Sequence, residues 1–144
     1  MKDNEWQVVN RELSKALKKA GFKQEGIFWW VFQGNEWKLR SAEWLHNWIG
    51  GQELDICIAD LIERGTAVVA PTVAELGGVL PAYYPLNNFD YNYVSIKKVS
   101  TAFKEFWVSM YFCGTQCIGQ EFKADTEANA RAKMWLYLKK EGLL

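Results

Sequence analysis

Histidine occurs once in this chain of 144 residues, as His46, and no Gly-x-Ser-x-Gly elbow or other nucleophile signature accompanies it. A hydrolytic site built on a nucleophile and its base therefore has little to draw on. Cysteine occurs three times, an odd number that argues against a disulfide framework and for a reducing cytoplasm. No run approaches the roughly 18 apolar residues that a membrane span needs, so no membrane role is expected. The first residues, Met1 to Trp6, carry charge in place of an apolar leader. No glycine-rich loop precedes a Lys-Ser or Lys-Thr pair, which leaves no cradle for phosphate. Charge of one sign is missing too. With 17 acidic and 17 basic side chains, the chain has no global pull toward nucleic acid or an anionic surface, and only a local patch would provide one. Repeats, low-complexity tracts and linkers rich in Ser, Gly or Pro are absent, so residues 1–144 are expected to form one domain.

What the chain holds in quantity is aromatic side chains: 8 Trp, 6 Tyr and 8 Phe. These carry a large burial payload and also suit contact surfaces. Periodicity orders them. Trp6, Val9, Leu13, Ala16, Leu17 and Ala20 recur at three and four and predict an amphipathic helix stopped by Gly21. A β-rich run from Ile27 to Gln33, then Gly34-Asn35, then alternation from Glu36 to Arg40, predicts a hairpin. Ser41 caps a short helix carrying Trp44, Leu45, Trp48 and Ile49 on one face, ended by Gly50-Gly51. Leu54 to Ile62 reads as a further helix by spacing, although Asp55 to Asp60 alone also fits a strand. Thr72 stands three residues before Glu75, a capping-box pattern, with Gly77-Gly78 behind it as the stop.

A loop from Pro81 to Asp90 leads to strands at Tyr91 to Val99 and Thr101 to Phe112. In the second, Phe106, Val108, Met110 and Phe112 take one face and Phe103, Trp107 and Tyr111 the other. Two apolar faces predict a central strand covered on both sides. The chain turns at Gly114-Thr115 into Cys117 to Lys123. Thr126 then caps a last helix with Ala128, Ala132, Trp135, Leu136 and Leu138 buried, closed by Gly142. The order predicts an α+β domain with a mainly antiparallel sheet: N-terminal helix, hairpin, short helices, three-stranded meander, C-terminal helix.

Cys113 and Cys117 flank a turn at knuckle-like spacing, but a structural zinc needs four ligands and only Cys57 and His46 remain to complete it. Free thiols, no metal and no cofactor are expected. His46 is expected on the polar side of its helix. The carboxylates Glu53, Asp55, Asp60 and Glu63 fall at spacings that any solvated helix produces. The tryptophans Trp29, Trp30, Trp37, Trp44 and Trp48 are the candidate binding residues, since exposed indoles anchor partners or stack on planar ligands. Trp29 and Trp30 are adjacent on a strand and so point to opposite faces. Either the hairpin is sandwiched or one of the pair reaches a surface.

The segment from Phe106 to Leu138 has a strand–turn–strand–helix cadence that resembles the double-stranded RNA-binding domain. That resemblance implies phosphate contacts near the start of the last helix, where this chain reads Ala124-Asp125-Thr126-Glu127-Ala128-Asn129. Lys97, Lys98, Arg131 and Lys133 are the candidate residues for that alternative, a nucleic-acid-binding module. Across the whole chain, the Pro-Thr-x-x-Glu-Leu element at Pro71 to Leu76, the aromatic strand pair and the closing helix resemble small uncharacterised proteins of gut Bacteroidetes and their phages and prophages. That resemblance implies a bacterial or prophage cytoplasmic protein and brings no activity with it. The sequence thus leads to a small non-enzymatic binding protein that engages a protein partner or a second copy of itself.

Overall fold

The computed structural model describes residues 2–48, 54–82, 84 and 92–144, with the backbone alone at 2, 3, 54–57 and 92. The expected stop at Gly50-Gly51, Ile49, Glu53, the side chains of Leu54, Asp55 and Cys57, and most of the loop from Pro81 to Asp90 lie outside the described residues. The fold is α+β. It divides into two compact units, Met1–Thr72 and Val73–Leu144, each with its own three-stranded antiparallel sheet.

In the first unit a 3₁₀ helix, Lys2–Gln7, precedes the α-helix α1, Arg11–Lys19. The single helix expected from Trp6 to Ala20 is therefore broken, and Trp6 is 62% exposed instead of lying on the buried stripe. Asn10 causes the break: its side-chain oxygen accepts from the Leu13 amide at 2.9 Å and starts α1 afresh. Ahead of it Val8 pairs with Thr72, and the Val9 amide donates to the Pro71 carbonyl at 2.9 Å. At the far end Phe22 N–H reaches back to the Leu17 carbonyl around Gly21, as expected of a glycine stop.

Strands β1, Phe28–Gln33, and β2, Glu36–Ser41, form the expected hairpin. Gly34 and Asn35 both have positive φ, 60° and 71°, which is the turn whose twist matches paired strands and which most residues resist. Helix α2, Ala42–Trp48, starts where Ser41 Oγ accepts from the Trp44 amide at 3.1 Å. Helix α3 spans Leu54–Glu63, so helical spacing decides that ambiguous stretch. Strand β3, Ala67–Val69, then pairs with β1 and gives the order β2-β1-β3. It was not anticipated. Three fully buried residues between Gly65 and Pro71 offer no alternation to read.

The second unit opens with α4, Val73–Val79. Gly77 and Gly78 do not stop this helix as expected but lie inside it. A Cβ on Gly77 would stand 3.2 Å from Arg131 Nη1, so the glycine makes room for that side chain. Strands β4, Asn92–Ser100, β5, Glu105–Cys113, and β6, Gln116–Ala124, form a meander with β5 central. Thr101 to Lys104 belong to the β4–β5 turn, where the Thr101 hydroxyl and amide both bond the Lys104 carbonyl at 2.9 Å. Phe103, expected on a strand face with Trp107 and Tyr111, sits in that turn and is 99% exposed.

Helix α5, Glu127–Lys140, lies against all three strands. Thr126 Oγ1 accepts from the Asn129 amide at 3.2 Å as the expected cap. The buried stripe of α5 is rich in small residues, with Ala128, Ala130 and Ala132 fully buried. This lets Ser109 of β5 donate to the Ala130 carbonyl at 2.7 Å. Leu136, expected in the stripe, is only half-buried. Met134 takes a buried place instead.

Candidate contact surface

Directly opposed residues of an antiparallel pair share a face, so the register sorts the hairpin's aromatic groups. Trp29 shares its face with Arg40 and Val69, while Trp30 shares the other with Leu39 and Val68. Both faces are covered. Trp29 is 3% exposed, and its indole N–H donates to the Gly26 carbonyl at 3.0 Å. It also lines a cleft of about 380 Å³ with Ile58 and Ile62 of α3. Trp30 packs on Val8, Leu39 and Ala70 and donates to the Val9 carbonyl at 2.9 Å. Of the two alternatives left open for this pair, a sandwiched hairpin or one indole at a surface, the structure shows the first, with Trp29 buried and Trp30 partly buried. Each indole gives its one donor to a backbone carbonyl, as a buried tryptophan requires.

The other three candidates stand differently. Trp37, half-buried, packs at 5.6 Å from Phe32, which faces it across the hairpin and is 43% exposed. Lys15 Nζ lies 4.8 Å over the Trp37 ring and the Arg11 guanidinium 5.8 Å from it. The two cations stand four apart on α1 and so reach one ring together. Across the strand, the Arg40 guanidinium stacks on Trp44 at 4.3 Å. Trp44 stacks on Trp48 at 5.4 Å and 20°, one turn along α2, and Trp48 is 48% exposed. The result is a ladder of guanidinium, indole and indole running from β2 onto α2.

Electrostatics set Arg40 apart from its neighbours. Arg11 pairs with Glu12 and Lys38 with Glu36, each at 2.7 Å. Hydrogen bonds from those cations hold the Glu12 and Glu36 carboxyls below their ordinary range. Arg40 donates to Gln33 Oε1 at 3.0 Å and has no carboxylate partner among the described residues. Its Nε is buried without a hydrogen-bond partner. The Arg40 charge reaches the Glu36 carboxyl only as the weakest of its influences, after Lys38, so the guanidinium is ordered by Gln33 and Trp44 without a direct ion pair among the described residues. Sequence spacing carries part of this signal, since Arg40 and Trp44 stand four apart. The strand-to-helix junction between them hides it.

The candidates for nucleic acid are not brought together as one open patch. Lys97 and Lys98 are consecutive on β4 and so project to opposite faces. Lys98 pairs with Glu105 and Arg131 with Glu127, both at 2.6 Å, and Lys133 donates to the Lys123 carbonyl at 2.7 Å. The thiols are separated as well. Cys113 faces Gln116 and Cys117 faces Phe112, so the two sulfurs project from opposite faces of the hairpin. Burial, and then Glu121, push the Cys117 thiol pKa up, away from the reactive thiolate. His46 is exposed on α2. Asp60 bonds Arg64 at 3.0 Å as an ordinary one-turn ion pair. Among the described residues no three His, Cys, Asp or Glu side chains gather to hold a metal, and no helix is long and apolar enough to cross a membrane.

Comparison with protein-family models, with curated proteins and with solved structures returns no match.

Proposed function

We propose that the chain is a small non-enzymatic binding protein whose contact surface is the Arg40, Trp44 and Trp48 ladder of its first unit. Trp37 with Lys15 and Phe32 forms a separate patch on the opposite face of the hairpin. The observation that carries this reading is the ladder itself: Trp48 is about half-exposed yet held in a ring stack, beside an arginine that forms no salt bridge among the described residues. Rigid indoles lose little entropy on association, and Trp and Arg dominate interface hot spots. The partner is a protein surface or a second copy of the chain. A bacterial or prophage origin rests on the resemblance of Pro71 to Leu76 and the closing helix. The nucleic-acid alternative has less to stand on, because Lys98 and Arg131 are already paired with Glu105 and Glu127 and Lys97 projects away from Lys98.

Affinity capture and light scattering on the native chain, Trp48→Ala and Arg40→Gln test the proposal. Trp48→Ala should leave the melting temperature within a few degrees, since surface changes cost about 0.5 kcal/mol or less, while Arg40→Gln, which gives up the stack on Trp44 and the bond to Gln33, should cost about 1 kcal/mol and leave the chain folded. Both should remove the same captured protein or the same concentration-dependent mass. Identical association in all three chains would overturn the reading.

A further inference from the structure

We propose that the groove between β6 and α5 in the second unit is a docking site for an extended acidic protein segment. The groove encloses about 340 Å³ and is lined by Gln120, Phe122, Lys133, Leu136, Tyr137 and Lys140. Its floor is apolar, with the Phe122 and Tyr137 rings 5.4 Å apart, and its rim is basic. Two carboxylates nearby are engaged. Glu127 is held by Arg131 and Glu121 by Lys123. Glu141 stands one turn beyond Tyr137, and its charge acts on Tyr84, which shares a hydrogen bond with Tyr137. The groove margin thus carries two lysines, Lys133 and Lys140, with Glu141 as the one carboxylate at its Tyr137 end among the described residues.

Beside this groove, β6 has β5 as its only strand neighbour among the described residues, and most of its residues are exposed. Such an edge leaves main-chain donors and acceptors open to an added strand. Between its pairs with Tyr111 and Ser109, β6 carries a bulge through Gly119 to Glu121, which divides its regular pairing into Gln116 to Ile118 and Phe122 to Ala124, the second run lying beside the groove. Lys133 already occupies the Lys123 carbonyl, and an incoming carboxylate would draw that ammonium away from it. A second copy of this chain fits poorly. Pairing β6 with itself would set the lysines of one α5 against those of the other.

The geometry also sets the spacing of the occupant. Lys133 and Lys140 stand seven residues apart on α5, roughly 10 Å along its axis. In an extended segment the side chains at i, i+2 and i+4 share one face and span roughly 13 Å. An acid, an apolar residue and an acid at those three places would meet the two ammonium groups and the ring floor between them.

The probe is a synthetic seven-residue peptide with glutamate second and sixth, phenylalanine fourth and threonine elsewhere, titrated into isotope-labelled full chain and followed by amide shifts. Shifts should concentrate on Gln120 to Lys123 and on Lys133 to Lys140. Binding should weaken about two- to fivefold with Lys133→Gln or Lys140→Gln, the range of an exposed ion pair, and fall as salt rises. Trp48→Ala should leave it unchanged, which separates this site from the surface on the first unit. No shift at millimolar peptide would overturn the proposal, as would equal shifts with a peptide carrying lysine for glutamate. Shifts at the same residues with duplex RNA but none with the peptide would also overturn it, and would assign the groove to nucleic acid.

Discussion

The two units share an architecture, a three-stranded antiparallel sheet with helices against it, and differ in the aromatic residue they use. Trp6, Trp29, Trp30, Trp37, Trp44 and Trp48 lie in the first unit, while all 6 tyrosines, from Tyr83 to Tyr137, lie in the second. An indole is a donor only, whereas a phenol both donates and titrates. In the first unit Trp29 and Trp30 hand their donors to the Gly26 and Val9 carbonyls. In the second, Tyr111 donates to the Pro81 carbonyl at 2.7 Å, and Tyr84 and Tyr137 share a hydrogen bond at 3.4 Å. Both solutions satisfy a buried polar tip. The buried phenols of the second are sensitive to alkali, and the first leaves indoles at the surface, with Trp6 and Trp48 exposed.

The strongest way to break this contrast is Trp29→Ala. Removing a ring that is 3% exposed should cost about 3–5 kcal/mol, a loss on the scale of a small domain's whole stability. Thermal and urea melts should show it. A loss below about 1 kcal/mol would mean that Trp29 is not the core of the first unit.

Trp30→Phe sharpens the same point with a smaller effect. It keeps most of the packing on Val8, Leu39 and Ala70 and removes the donor to the Val9 carbonyl. That carbonyl retains the Ser14 hydroxyl at 3.3 Å, so the cost should be about 1 kcal/mol. An effect equal to that of Trp29→Ala would show that ring packing, not the hydrogen bond, fixes this residue.

How much of this was legible in the sequence follows from how local each signal is. The hairpin turn at Gly34-Asn35 and the Thr126 cap were readable because neighbouring residues specify them. The covered central strand β5 was readable because both of its faces are apolar. The break at Asn10 was not. The apolar spacing runs through it and outweighs the local Asn10 cap, and the extended Val8 and Val9 ahead of that cap pair with Thr72 and Pro71, far along the chain. Gly77-Gly78 misled because the space that Gly77 leaves is needed by Arg131, far along the chain. At the candidate surface, the sequence marked the tryptophan cluster but not its division. Whether Trp29 or Trp48 is covered depends on α3 and β3, and β3 gave no pattern to read.

Alkali should act on the buried phenols of the second unit and have no effect at ordinary pH. Burial pushes the Tyr111 phenol from 10.0 up to about 12, and burial, then the Tyr137 hydrogen bond, does the same to Tyr84. The fold favours the neutral phenol, so their contribution is intact below pH 10.0 and is lost as pH rises toward about 12. Phenolate absorbance should show two tyrosines still neutral after the exposed ones have ionised. Simultaneous ionisation of every tyrosine would contradict this placement.

The most direct test of the central claim, that the first unit's tryptophans divide into fold and surface, is hydrogen exchange at the indole N–H groups, resolved by residue. The Trp29 and Trp30 indoles, bonded to the Gly26 and Val9 carbonyls, should be protected, and the Trp48 indole should exchange as freely as that of Trp6. Protection of Trp48 together with rapid exchange at Trp29 or Trp30 would contradict the division and remove the contact surface built on it.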